Sequence, residues 1–168
     1  MKEHVEDEVI YYYDLHPTEE DLMGETSVHR RLVTYLAAVL RWLFHEQVCA
    51  VYENLNFYQT RNYKEYPVAP DLAVIKDTPF EEIRSWPLVR REARPQVVFE
   101  ILSEETWRKD LKEKLPAYEH MGVQEYFAYD PNPKPLARAT AKRLFGWRRA
   151  EQTGLLSPSP AKEPFGGG

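Results

Sequence analysis

Glu100 breaks its local pattern. It sits inside Val97-Val98-Phe99-Glu100-Ile101-Leu102, a run whose apolar neighbours predict burial. An ionised carboxylate there costs several kcal/mol unless a cation or a donor compensates it. It is therefore a metal ligand or a catalytic acid, or else an edge-strand carboxylate or half of a buried ion pair. Asp71 heads a second apolar run, Leu72-Ala73-Val74-Ile75, directly after Pro70. Alone it fits a turn. On a strand beside Glu100 it completes a two-carboxylate site, whose oxygen ligands suit Mg²⁺ or Mn²⁺ better than zinc. Lys114 is the third anomaly. Trp107, Leu111, Leu115 and Tyr118 make an apolar helical stripe, and Lys114 lies on it at i+7 from Trp107. It is placed to reach Glu100, to pair with Asp110 one turn earlier, or to snorkel to solvent. Glu25 and His29, four apart at the start of a helix, share a face if that helix begins early enough; a lone histidine there also serves as a cap.

Other chemistries find no support. There is no glycine-rich phosphate loop, no G-x-S-x-G turn and no zinc-finger spacing. The single cysteine, Cys49, lies in Val48-Cys49-Ala50-Val51 and suits a small core position. His4, His16, His45 and His120 have no ligand spacing and belong on the surface.

The elements that must position these residues follow from the hydrophobic pattern. Val9-Ile10-Tyr11-Tyr12-Tyr13 predicts a strand. Apolar residues at 28, 32, 35, 36, 39, 40 and 43 predict a helix over 27–46 with one buried stripe, capped by Thr26 or Ser27. Strands are expected at 48–52, 55–59, 69–75, 95–102 and 125–129, and a last one near 143–148. Residues 76–95 form a charged connection anchored at Trp86. A helix over 104–120 closes at Gly122, and Pro116 either kinks it or costs it one backbone hydrogen bond. The order predicts an α/β fold, a mixed β-sheet flanked by helices, with a βαβ crossover from 97–102 through the helix to 125–129.

The chain has 168 residues, 43% of them hydrophobic and 29% charged, enough for one domain with a real core. We expect that domain over 1–152, led by an acidic stretch at 1–9, and a disordered Ser/Pro/Gly tail over 153–168. No apolar run approaches the roughly 20 residues of a membrane span, and no signal-peptide pattern opens the chain, so a cytoplasmic protein is expected. The net charge of -5 is unevenly spread. Residues 1–25 hold nine acids and one lysine, so the rest carries +3. Two local runs, 84–94 and 138–149, are rich in arginine. They are either solvated surface or phosphate contacts.

Together these stretches resemble the Uma-two (Uma2) family of restriction endonucleases, within the PD-(D/E)XK nuclease superfamily. The matching residues are Met23-Gly24-Glu25-Thr26 with His29, Val68-Ala69-Pro70-Asp71-Leu72-Ala73-Val74, and Val97-Val98-Phe99-Glu100-Ile101-Leu102-Ser103. The longest match is Asp110-x3-Lys114-x3-Tyr118-x3-Gly122-Val123-x-Glu125-Tyr126-Phe127, closing in Asp130-Pro131. The resemblance implies a restriction-endonuclease-like core with Asp71, Glu100 and the Ile101 carbonyl as ligands of Mg²⁺ or Mn²⁺. The superfamily lysine two residues after the glutamate is replaced here by Leu102, and Lys114 on the following helix takes its part. Glu25 fills the supplementary acidic position, with His29, Ser103, Asp110 and Tyr118 in support. The implied reaction is metal-assisted phosphodiester hydrolysis of nucleic acid, DNA being the expected substrate. Arg90, Arg91, Arg94 and Arg148 are the candidate phosphate contacts, and a homodimer fits the superfamily. Two competitors are a catalytically inactive nuclease-fold module that binds nucleic acid or protein, and a structural protein holding a buried Glu100–Lys114 pair.

Overall fold

Three runs that are apolar on both faces build the middle of the sheet in this computed structural model, which describes residues 9–18 and 26–159. They are β3 (Leu72–Lys76), β5 (Val97–Ile101) and β6 (Glu125–Tyr129). Around them lie β1 (Cys49–Glu53), β7 (Leu144–Arg149) and β8 (Leu156–Pro158), giving the strand order β1-β3-β5-β6-β7-β8. The β5–β6 pair is parallel and the rest are antiparallel, so the sheet is mixed as expected. A parallel pair of short strands, β2 (Asn56–Tyr58) and β4 (Ser85–Pro87), packs beside it. There Trp86 is fully buried and donates its indole N–H to the Ala93 carbonyl at 3.1 Å, the anchor expected for the 76–95 connection.

Helix α1 (Tyr12–Leu15) is a single turn, and α2 (Ser27–Leu43) is the long helix. The predicted strand at 9–13 is thus replaced by α1. Tertiary contacts outweigh β propensity there: Tyr11 stacks on Tyr58 at 3.6 Å, and the Tyr12 N–H donates to the Tyr63 carbonyl at 2.8 Å. Thr26 caps α2, its hydroxyl accepting the His29 N–H at 3.2 Å. The helix buries Val33, Ala37 and Leu40 against Val51, Leu72, Val74 and Ile101. The single stripe predicted for α2 is therefore corrected to two apolar faces, because Val28, Tyr35, Val39 and Leu43 point outward.

The opposite sheet face carries the larger cluster, including Ala73, Ile75, Val98, Leu102, Tyr118, Met121 and Tyr126. It is covered by a π-helical turn (Lys109–Glu113) that runs into α3 (Lys114–Met121). Pro116 explains the wide turn. It offers no N–H to the preceding turn, the lost backbone bond that was one of its two expected effects, and its ring crowds the Lys112 carbonyl position, where the backbone widens into the π turn. Gly122 ends α3 at φ +84°, a left-handed position where a side chain is strained.

The expected disordered tail from 153 is corrected in its first part. β8 adds to the sheet edge, with Leu156 buried and its N–H accepted by Glu119 Oε1 at 2.9 Å. Residues 160–168 lie outside the described residues. No helix among the described residues is long and apolar enough to cross a membrane.

Candidate active site

The register of β3 against β5 builds the site. Leu72 pairs with Phe99 and Val74 with Val97, so one step further Asp71 faces Glu100. The Ile101 N–H donates to Asp71 Oδ2 at 2.7 Å, and the Asp71 N–H reaches Glu100 Oε2 at 3.4 Å. From α2, His29 Nε2 lies 3.1 Å from the same Asp71 Oδ2. Glu100 shares its sheet face with Val98 and Leu102, under α3. Lys114 Nζ sits 2.8 Å from Glu100 Oε1 and 2.8 Å from Asp110 Oδ1. Of its alternative placements, the two ion pairs are both realised. The Tyr118 hydroxyl donates to Glu100 Oε1 as well.

A further set of contacts holds Asp110. Thr106 donates its hydroxyl to Asp110 Oδ2 at 2.8 Å, and the Ser103 hydroxyl, 2.9 Å from that of Thr106, also accepts the Thr106 N–H. The Tyr126 hydroxyl donates to the Asp110 carbonyl at 2.6 Å, within the π turn. Sequence reasoning found Ser103 and Asp110 but missed Thr106 and Tyr126. The spacing Ser103-x2-Thr106-x3-Asp110, one and then two helical turns, was the available signal for Thr106.

Two buried carboxylates, Glu100 and Asp110, therefore share one ammonium, and a third, Asp71, lies beside Glu100 with His29 as its partner. Burial pushes Glu100 up to about 8; Lys114 opposes the rise, while Asp71 and Asp110 add to it. For Lys114, burial acts to lower the pKa, but Glu100 and Asp110 more than offset it and hold the ammonium above its ordinary value. Burial, then the Glu100 charge, raises Tyr118, which keeps its phenol a donor. Surplus negative charge on oxygen donors fits a hard divalent cation. Among the described residues no three His, Cys, Asp or Glu side chains converge on one point.

A cavity of about 360 Å³ lies on the other side of β5, lined by Leu32, Tyr35, Phe99, Phe127 and Leu144, with Glu100 at its edge. It is too apolar to receive a phosphate. A second, of about 380 Å³, opens over Lys114, Asp110 and Thr106, beneath the 66–69 segment that leads to Asp71. This one reaches the charged groups.

The structure brings together Asp71, Glu100, Ile101, Lys114, His29, Asp110, Tyr118 and Ser103. Glu25 lies outside the described residues. The four expected phosphate-binding arginines sit elsewhere. Arg91 pairs with Glu81 at 2.6 Å and stacks over Trp86, Arg148 pairs with Glu125 at 2.9 Å, and Arg94 donates to the Leu88 and Arg91 carbonyls. Arg90 lines a small cavity with Val9 and Tyr11.

The family model Uma2, described as "Putative restriction endonuclease", matches residues 10–161. Among solved structures, the crystal structure of "a putative nuclease" from Anabaena variabilis is similar at a TM-score of 0.54 and 15% identity, over 74% of this chain and 64% of that one. At that identity the likeness establishes the fold. No curated protein matches the chain.

Proposed function

The chain belongs to the Uma2 family, and on that premise we propose that it is a metal-dependent endonuclease hydrolysing phosphodiester bonds of DNA. The observation that carries this reading is the buried Asp71–Glu100 pair with Lys114 between two carboxylates. An ion pair kept only for structure needs one acid per base, and here two buried acids share one lysine with a third carboxylate, Asp71, next to them.

In this reading Asp71, Glu100 and the Ile101 carbonyl would hold Mg²⁺ or Mn²⁺; the supplementary acid Glu25 lies outside the described residues. The ion supplies Lewis-acid stabilisation of the charge that develops on the phosphate. The chain's own residues do the rest. His29 and the Ile101 N–H fix Asp71 through Oδ2, which leaves Oδ1 as the oxygen for an ion. Lys114 and Tyr118 hold Glu100 through Oε1, while the Asp71 N–H reaches its Oε2 at 3.4 Å. The Lys114 side chain is about a quarter exposed, toward the open cavity, which places fixed positive charge where phosphate approaches. Asp110 positions that ammonium.

Cleavage of supercoiled, linear, single-stranded and branched DNA, with Mg²⁺, with Mn²⁺ and with chelator, tests the proposal. The wild type should cut only with metal, and Glu100→Ala should not cut. Equal cutting by both proteins refutes the site. A wild type that neither cuts nor binds Mn²⁺ supports the inactive binding module instead.

A further inference from the structure

The 66–69 segment, whose chain continues into Asp71, has a cavity on each side. One is the opening over Lys114 described above. The other, of about 640 Å³, extends toward α1 and α2. Both are bordered by Asn56, Tyr66, Pro67 and Ala69, so the two form one trough across the site. The larger half contains two acids and two arginines, and only the acids are satisfied. Asp14 accepts from Asn56 Nδ2 at 3.1 Å, Tyr58 at 2.7 Å and Ser85 at 2.8 Å, and Glu53 pairs with Arg41 at 3.3 Å. Arg30 and Arg84 are exposed, and among the described residues neither guanidinium has a hydrogen-bond or ion-pair partner. Arg30 also directly follows His29, the partner of Asp71. At the junction of the two halves stands Tyr66, half-exposed, with Tyr13 edge-on at 5.0 Å.

We propose that this trough binds the single-stranded stretch of nucleic acid flanking the scissile phosphate, with Arg30 and Arg84 on backbone phosphates and an unpaired base stacked on Tyr66. This rests on the nuclease reading and narrows it to a substrate with unpaired nucleotides. Unpaired guanidiniums supply sequence-independent affinity, and an exposed ring gives a base a stacking platform that paired bases cannot use. Arg91, Arg94 and Arg148, already committed to other groups, take no part.

Fluorescence anisotropy with a labelled oligonucleotide, single-stranded or duplex, tests this on the whole chain without metal, beside metal-dependent cleavage of the same oligonucleotides. The double variant R30A/R84A should bind single strand at least tenfold more weakly, and its log K against log salt slope should flatten by about 1.4, or ~0.7 per lost phosphate. Tyr66→Ala should weaken single-strand binding about tenfold, consistent with ~1–3 kcal/mol per stacked base, and leave duplex binding nearly unchanged. Arg148→Ala should match the wild type. If the wild type cuts but R30A/R84A binds and cuts equally well, the trough is refuted and the nuclease reading stands. If Tyr66→Ala weakens single strand and duplex alike, the unpaired-base assignment falls. If the wild type neither binds nor cuts, both readings fail.

A separate observation concerns the outer face of α2. Val28, Leu32, Tyr35, Val39 and Trp42 recur at alternating spacings of four and three, a heptad seam. Trp42 is 72% and Tyr35 67% exposed. With Leu43, and with Leu144 that lines the same apolar cavity as Tyr35, they expose on the order of 700 Å², close to one partner's share of a standard interface. We infer that a second copy of the chain covers this face, two α2 helices packing antiparallel about Val39. That axis sets Tyr35 opposite Leu43 and Trp42 opposite Leu36, beside the apolar cavity that Leu36 lines. Light scattering or sedimentation at high micromolar concentration should give twice the 19.8 kDa chain mass for the wild type and the single mass for Y35E/W42E. Unchanged circular dichroism of the variant checks its fold. A monomeric wild type, or a dimer that survives in the variant, overturns the inference.

Discussion

Without metal, the site should make the protein less stable as pH rises through neutrality, and Glu100 should account for it. Burial and the neighbouring carboxylates raise the Glu100 pKa to about 8 in the folded chain, against 4.5 ordinarily. Between those values the folded state holds a proton that the unfolded chain has released, so stability is present at low pH and falls as pH climbs to 8. Each unit between the two pKa values is worth about 1.4 kcal/mol, so going from about pH 6 to about pH 9 should remove a few kcal/mol. Glu100→Gln is the perturbation. Its amide keeps an acceptor for Lys114 and Tyr118 but cannot titrate. Urea unfolding in chelator, measured at intervals over this range, should show the decline in the wild type and a nearly flat profile in the variant. Saturating Mg²⁺ should oppose the wild-type decline, because the ion takes the ionised form. Parallel profiles for the two proteins in chelator would refute the charge reading of the site.

Three further outcomes follow from the same contacts. Lys114→Met should cut DNA at least about a hundredfold more slowly while still binding Mn²⁺, since it removes charge aimed at the phosphate and spares the proposed ligands; single-turnover cleavage and Mn²⁺ titration check both. Tyr118→Phe keeps the ring packed edge-on against Tyr126 at 4.9 Å but deletes the donor to Glu100, and should lower stability by about 1–3 kcal/mol in chemical denaturation. Gly122→Ala forces a side chain into the left-handed end of α3 and should cost about 1–2 kcal/mol in the same assay, with cleavage unchanged at temperatures where the variant is folded.

The groups at the centre of the site were legible because they contradict their surroundings. A carboxylate in Val98-Phe99-Glu100-Ile101 and a lysine on the stripe that holds Leu111 and Tyr118 are expensive to bury, and a chain that buries them must group them. For the same reason the three strands were located, β6 residue for residue and β3 and β5 starting two or three residues later than expected, because apolar runs bounded by Pro95, Gly122 and Pro131 admit few other readings. What stayed hidden has no such local cost. β4 and β8 are three residues each and exist because a partner strand presents an edge. α1 follows from a buried Tyr11 stacked on Tyr58, a contact 47 residues away in sequence. Thr106 is an ordinary polar residue at an ordinary helix start until Asp110 is seen to be buried against it.

The arginines mark where this logic stops. Clustering in sequence favoured 84–94 and 138–149 as phosphate contacts, yet the fold gives Arg91 to Glu81, Arg148 to Glu125 and Arg143 to the carbonyls of Asp130 and Pro133. A guanidinium already spending its donors on the protein must break those contacts to take a phosphate, so the charge available to a ligand is what folding leaves unpaired. By that measure Arg30, isolated from both arginine-rich runs, outranks all of the four first chosen. It stands one residue after the histidine that holds Asp71, in a trough that borders Lys114 through Tyr66. In the proposed trough, cationic side chains flanking the carboxylate centre on both sides would give a polyanion a continuous path across it, and position on that path, rather than local density of arginine, would decide which of them act.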